Sequence, residues 1–398
     1  MLKLVLKRLS LASKVNAKIR SARTKALYRK WCRRYETRCI LDDRDRLEWP
    51  RLFAGARVPA LAKRASFSNS RYFYVGSNWD QDRSGLILGL QVHGEVGVFR
   101  GPEGRNELRL PRDTGEIGVC REANRAALES EFADFAGGGP VAALIGQMWN
   151  FAMPAETLAR IRASGVPVVN IAMDDRHSFH RPLLADRSDG GVAGILPALS
   201  LGATAAPECV AWYEKLGTPA VFFPEASDAT LFKPVGEPKE HDITFVGANY
   251  GFRGEVIASL RRAGFRVTTF GNGWPEGRIP TEAIPTLFSK SRIVLGIGGI
   301  LHCRDFTALK LRDFDAPMSG SLYLVQENPD LALMFSIGSE IETWRDIGEL
   351  VTKCRTYLED DRTRERIASA GRARAVAEHT WSHRFAVLLE QLQGLLGS

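Results

Sequence analysis

Two doubly wound α/β domains preceded by a basic helical arm are what the sequence predicts, on three observations. Short apolar runs rich in Val, Ile, Phe and Tyr alternate with glycine-bearing loops and stretches of helical period, the pattern of a parallel sheet wrapped by helices. That pattern starts near Arg71 and restarts at Ile243, after a segment framed by Pro224 and Pro234. At 398 residues the chain is long for one core and comfortable for two.

The arm comes first. Residues 1–38 hold thirteen Lys and Arg against one acid, Glu36, so they carry +12 while the whole chain carries +8. The other 360 residues sum to −4, the wrong sign for a nucleic-acid partner, and none is expected. Leu11, Val15, Ile19, Ala22 and Ala26 recur at helical spacing after Ser10, which reads as an N-cap, with Lys14, Lys18, Lys25 and Arg29 beside the stripe. Such a helix suits an anionic membrane surface; a solvated helix packing its stripe on the body, or a frayed terminus, is the alternative. Charges at Lys3, Lys7 and Arg8 interrupt the only apolar opening, so no signal peptide is expected, and no stretch has the apolarity of a membrane span. Six cysteines without a C-x-x-C pair fit free thiols in a reducing cytoplasm. The expected location is cytoplasmic, peripheral on the inner face of the membrane. The arm is taken as 1–66 and the first domain as 67–228.

In the first domain a strand over 72–75 leads through a glycine-bearing loop to a helix from Ser84. Strands follow at 96–99, 141–145 and 166–171, with a helix over 155–163 before the last. A parallel sheet presents its ligand at the strand C-termini, which makes Asp174, Asp175 and His177 candidates for catalysis. One Asp can act as general base toward an acceptor hydroxyl. The alternative is a loop whose acids pair with Arg176 and Arg181 and cap the next element. No third or fourth ligand accompanies the acids, and no metal is expected.

The second domain, 229–378, opens with a strand over 243–247 and the loop Ala-Asn-Tyr-Gly-Phe-Arg, which carries Asn249 and Arg253 into a helix over 255–263. Small residues feeding a helix start, with Arg253 adding a cation, make an anion site. Gly247 and Gly251 fit neither a P-loop nor the dinucleotide fingerprint, and Gly271-x-Gly273-Trp274 is weak alone. Thr281 is read as the N-cap of the following helix. The strand over 293–295 then leads to Lys310–Gly320, Lys-Leu-Arg-Asp-Phe-Asp-Ala-Pro-Met-Ser-Gly. Lys310 as a point charge and Arg312 as a bidentate fork suit phosphate oxygens, and Asp315 can accept from two vicinal hydroxyls. Gly320 allows close backbone approach or ends a helix.

These residues resemble the donor signature of GT-B glycosyltransferases, specifically the CgeB-like (spore-maturation-type, glycosyl transferase group 1) branch, with its K-x-R-x-F-[ED]-A-x-x-x-G pattern. Val246-Gly247…Gly251…Arg253, then Gly271-x-Gly273-Trp274, recur in the family's order, and Asn170-Ile171…Asp174-Asp175 matches its N-I-x-x-D-D. The resemblance covers roughly residues 70–398. It implies a GT-B fold of two Rossmann-like domains facing a cleft, a C-terminal helix (379–398) returning to the first domain, and structural roles for His379 and His383. It also implies a nucleotide diphosphate sugar donor held by Gly247, Asn249, Arg253, Trp274, Ile279 beside the base, Lys310, Arg312, Asp315 on the ribose, and Gly320. The acid expected on the transferred sugar falls on Thr307. No cofactor is implied beyond the donor.

Three classes of function follow. The first is a hexosyltransferase-type enzyme moving sugar to an acceptor hydroxyl on a glycan, lipid-linked or protein acceptor, in bacterial surface glycan or glycoconjugate synthesis. The second, favoured by Thr307, is a degenerate GT-B protein that binds a nucleotide sugar or a partner without turnover. The third, a dinucleotide-dependent oxidoreductase, lacks a G-x-G-x-x-G with a downstream ribose acid.

Overall fold

The computed structural model describes residues 2–56 and 70–397, with side chains from Val15 onward in the first helix. The chain divides into two compact units, one of Ala56–Leu231 with Ala377–Ser398, the other of Met1–Gly55 with Phe232–Val376. They are called here the six-stranded and the five-stranded unit.

The six-stranded unit holds β1 (Ser70–Val75), β2 (Gly94–Val98), β3 (Ala143–Gly146), β4 (Val168–Ala172), β5 (Leu201–Thr204) and β6 (Ala220–Phe222), in the order β2-β1-β3-β4-β5-β6. Every pairing is parallel. The central strands β3 and β4 are buried at every position, which is why they read as continuous apolar runs. The five-stranded unit holds β7 (His241–Val246), β8 (Val267–Phe270), β9 (Ser291–Gly296), β10 (Leu322–Gln326) and β11 (Glu342–Trp344), ordered β11-β10-β9-β7-β8, again all parallel. Strand order reverses between β1 and β3 in one sheet and between β7 and β9 in the other. In such sheets the ligand crevice opens at the C-terminal strand ends on either side of that reversal.

The helices that matter below are α1 (Leu2–Arg34), α2 (Asp43–Leu52), α3 (Arg253–Arg262), α4 (Arg312–Met318), α5 (Ile347–Glu359) and α6 (Trp381–Leu396). Helix α5 buries Leu350, Cys354 and Tyr357, with Leu358 packed on the same cluster beside Ile243, Phe245 and Leu295. Helix α6 starts on a capping box: the Thr380 hydroxyl accepts from the His383 amide, and His383 reaches back to the Thr380 amide. The buried Arg384 donates to the Pro224, Glu225 and Glu378 carbonyls and lies 3.1 Å from His379 Nδ1. Both histidines are thus part of how this helix is seated in the six-stranded unit.

Several local expectations are corrected. Helix α1 runs through Ser10, so that residue is no cap. The stripe drawn through Val15, Ile19, Ala22 and Ala26 is exposed, while the side chain of Leu11 lies outside the described residues. The buried face is the polar-aromatic one through Tyr28, Trp31, Cys32 and Tyr35, and Trp49 on α2 is fully buried too. Residues 1–55 group with the five-stranded unit, so they are not an appendage, and Ser66, the arm's expected end, lies outside the described residues. The helix expected from Ser84 is broken at Gly85 (φ 139), where a Cβ would lie 2.7 Å from Asp228 and 2.9 Å from Trp381; helix resumes at Ile87–Gln91. Thr281 lies inside a single 3₁₀ turn, Thr281–Ala283, that leads into the helix Ile284–Ser289.

Candidate functional site

At the reversal in the five-stranded sheet, two arginines converge on one glycine. Gly247 ends β7 at φ 153, and a Cβ built there would lie 3.0 Å from Arg312 Nη1 and 3.5 Å from Arg253 Nη1. Only glycine leaves that space. Arg253 is 6% exposed and donates to the Ala248 and Ile297 carbonyls at 3.0 and 3.3 Å. Its guanidinium lies over the Tyr250 ring at 4.1 Å, and that of Arg312 over Phe245 at 4.8 Å. Arg312 also donates to the Val246 carbonyl. Burial, then the charge of Arg312, pushes the Arg253 guanidinium down to about 10. Neither arginine is ion-paired with a carboxylate among the described residues, and the Nε–H of each is buried without a hydrogen-bond partner. Two like charges held together this way raise each other's energy until an anion lies between them.

Beneath the pair sits a buried acid that the sequence reading missed. Asp313 accepts from the Lys310 amide at 2.8 Å and the Tyr323 hydroxyl at 2.5 Å. Burial pushes its carboxyl up to about 6, while Tyr323, the Lys310 amide and the charges of Arg312 and Lys310 pull the other way. This acid fixes the start of α4 and so the aim of Arg312. Its signal was faint: Tyr323 is simply the alternate residue of an all-buried strand.

The other donor-side candidates divide. Asn249 stays at the surface, its amide donating to the Gly273 carbonyl at 3.2 Å. Ile279 is half-buried in the loop after β8, and Asp315 lies within α4, 9% exposed. Trp274 is buried, its indole N–H donating to the Gly247 carbonyl at 2.7 Å and its ring meeting Phe245 edge-on at 6.0 Å. Its one polar group is spent on bracing the glycine loop from beneath. Gly320 follows Ser319, the C-cap of α4, at φ 75 with Pro234 2.9 Å from its Cβ position and its carbonyl accepting from Lys239. Eight residues beyond Arg312, at about 1.5 Å per helical residue, it stands at the far end of α4 and not beside the arginines. Thr307 is fully buried and donates to Asn328 Oδ1 at 3.1 Å.

In the six-stranded unit the acid pair is split by the backbone. After β4 the chain enters one helical turn, Asp175–Ser178, and the Asp174 carbonyl accepts from the His177 and Ser178 amides at 3.0 and 2.9 Å. The Asp174 side chain is 43% exposed, with His177 Nε2 3.9 Å from its Oδ1. Asp175 turns inward, 1% exposed, accepting from the Tyr213 hydroxyl at 2.7 Å. Burial pushes its carboxyl up to about 7 against the pull of the Thr204 and Tyr213 hydroxyls. Solvent reaches the Asp174 and His177 side chains but not Asp175. Arg176 donates through Nε and Nη2 to the buried Glu208, at 2.7 and 3.0 Å. Arg181 lies over Phe151 at 5.0 Å, close enough to Asp174 for that charge to oppose the lowering of its pKa by burial.

Residues 253–390 match the family model described as glycosyl transferase-like. No curated protein matches the chain. Among solved structures, sucrose-phosphate synthase from Thermosynechococcus elongatus superposes with a TM-score of 0.57 at 12% identity, covering 82% of this chain and 99% of that one. A glycosyltransferase from Rickettsia africae gives 0.56 at 10% identity over 83% and 99%. HepE from Anabaena, solved in complex with UDP and glucose, gives 0.53 at 11% identity over 82% and 100%. The two parallel-sheet units therefore define a GT-B fold. Within it, the five-stranded unit carries most of a glycosyl transferase-like domain.

Proposed function

We propose that the chain transfers a sugar from a nucleotide diphosphate sugar to an acceptor hydroxyl. The observation that carries this is the Arg253–Arg312 pair around Gly247, with two orphaned guanidinium N–H groups at the reversal point of the sheet. A diphosphate neutralises both cations and accepts both protons, with Lys310 adding a third charge. Asp315 takes ribose hydroxyls, and Asn249 and the Ile279 backbone flank the base. Asp174, paired with His177, receives the acceptor's proton, and Asp175 steadies that turn from inside. UDP in the HepE structure supports a nucleotide donor of this kind. The CgeB-like branch and a role in bacterial surface glycan synthesis on the cytoplasmic side rest on the sequence motifs and the basic arm. Val15, Ile19 and Leu27 are each about half exposed on α1 among Lys18, Arg20 and Arg23, a face suited to anionic lipid. Among the described residues no helix is long and apolar enough to cross a membrane.

A second reading is supported by Thr307, buried and bonded to Asn328 where the family's earlier acid is expected: binding of the nucleotide sugar without turnover. A thermal-shift panel of nucleotide diphosphates and their sugars tests both, because a ligand of the native state raises its apparent stability. Lys310→Ala or Arg312→Ala should weaken the best ligand by about 1.5–3 kcal/mol. Unchanged affinity in both variants removes the phosphate site from this loop. Binding without donor hydrolysis or transfer, over any acceptor pool, decides for the second reading.

A further inference from the structure

We infer that the N-terminal helices are a positioning element for the donor site, acting through the hairpin of residues 298–308. This rests on reading the Arg253–Arg312 cradle as a nucleotide diphosphate site. The hairpin leaves β9, is closed by the Gly299↔Thr307 bridge and an Ile300 amide bond to the Phe306 carbonyl at 2.9 Å, and turns at Leu301 and His302. Both tip residues have positive φ, 46° and 67°, a region that L residues avoid. Such a turn persists only when its surroundings over-determine it.

Two sets of contacts do so. From inside, the Gln326 amide accepts from the Gly299 amide at 3.1 Å and donates to the Arg304 carbonyl at 2.5 Å. From outside, the arm grips the returning strand. Ser21 Oγ lies 3.2 Å from Cys303 Sγ, Lys25 Nζ is 2.9 Å from the Asp305 carboxylate, and Arg46 donates to the Asp305 carbonyl at 3.4 Å. Tyr28 and Phe306, both fully buried, meet ring to ring at 4.7 Å.

The other side of the hairpin touches the cradle. The Tyr250 hydroxyl donates to the Gly299 carbonyl at 3.4 Å, and its ring meets His302 edge-on at 5.8 Å. A Cβ on Gly251 would lie 3.3 Å from His302 Cα. Arg304 pairs with Glu255 on α3 and lies over Phe252 at 5.3 Å. Tyr250 in turn lies under the Arg253 guanidinium. A continuous set of contacts therefore runs from Tyr28 through Phe306, Ile300 and Gly299 to Tyr250 and Arg253, and no arm residue in it needs to touch the ligand. The arm's aromatic face has a role that its charge does not explain: it holds one wall of the anion site in place.

The test uses the full chain, with uridine and guanosine diphosphates as calorimetric probes and hydrogen exchange over residues 248–255 as a ligand-free readout. Tyr28→Ala and Phe306→Ala should each weaken binding about fivefold to 150-fold, the range of coupling between distinct sites. The double variant should be no worse than the poorer single, since both break one link. Tyr28→Phe, which keeps the ring contact, should bind like the parent, and exchange over 248–255 should quicken in both Ala variants only. Should Tyr28→Ala fail to fold, Lys25→Met takes its place with a smaller loss, up to about fivefold. Folded variants with parental affinity and parental exchange overturn the inference. The parent separates the two readings: if it binds neither nucleotide the donor reading falls, and exchange alone then decides whether the arm positions this loop.

Discussion

Replacing Asp175 with Asn tests whether burial governs the acid pair. In the folded chain the Asp175 carboxyl is pushed up to about 7, against about 3.9 for an unperturbed Asp. As pH rises between those values, the unfolded chain releases its proton while the folded chain keeps it. Stability from this group therefore falls with rising pH across the window from about 4 to about 7 and is flat on either side. At about 1.4 kcal/mol per pK unit the whole loss is about 4 kcal/mol, and more than half of it falls between pH 5 and pH 8. No solvent discount applies, because the side chain is 1% exposed. Asn keeps an acceptor for the Tyr213 hydroxyl and cannot titrate. Asp175→Asn should thus gain about 2–3 kcal/mol relative to the parent on going from pH 5 to pH 8. Urea unfolding read by exchange protection of the β4 and β5 peptides confines the measurement to the six-stranded unit, and the variant-minus-parent difference cancels other titrations, such as Asp82, also pushed up by burial to about 6. If the difference between parent and variant is the same at both pH values, Asp175 is already ionised in the fold and the argument from burial is wrong.

Three further outcomes follow from the same geometry. Asp174→Asn and His177→Ala should leave nucleotide affinity intact and lower turnover about a hundredfold or more, the contribution of a positioned proton acceptor; weaker donor binding with normal turnover would reverse the assignment. Gly320→Ala should cost about 1–2 kcal/mol of stability, from φ 75 and the contact with Pro234, without changing donor affinity; a loss of affinity would return this glycine to the ligand. Val15→Asp with Ile19→Asp should abolish salt-sensitive sedimentation with anionic vesicles while leaving donor binding unchanged, and undiminished sedimentation would rule out α1's exposed face as the lipid contact.

Local pattern determined much of this protein. The strand runs, the glycine after β7 and the cations at 253, 310 and 312 were legible because each is written in contiguous residues whose chemistry is local: period, φ requirement, charge. The parallel sheets and their C-terminal ligand edges follow from that alone. What tertiary structure decided lies where two segments far apart in sequence compete for one side chain. Asp174 and Asp175 are equivalent as letters, and only the Thr204 and Tyr213 hydroxyls from distant segments make one an interior group and leave the other at the surface. Trp274 looked like a ligand residue until its indole met the Gly247 carbonyl. The arm shows the limit best. Its charge and period pointed to an apolar stripe along one face, yet the face it buries carries Tyr28, Trp31 and Tyr35, because aromatic rings matched to Phe306 and to the hairpin bury more area than a stripe of Val and Ala. A helix has several faces that sequence alone can rank, and the surface it meets chooses among them.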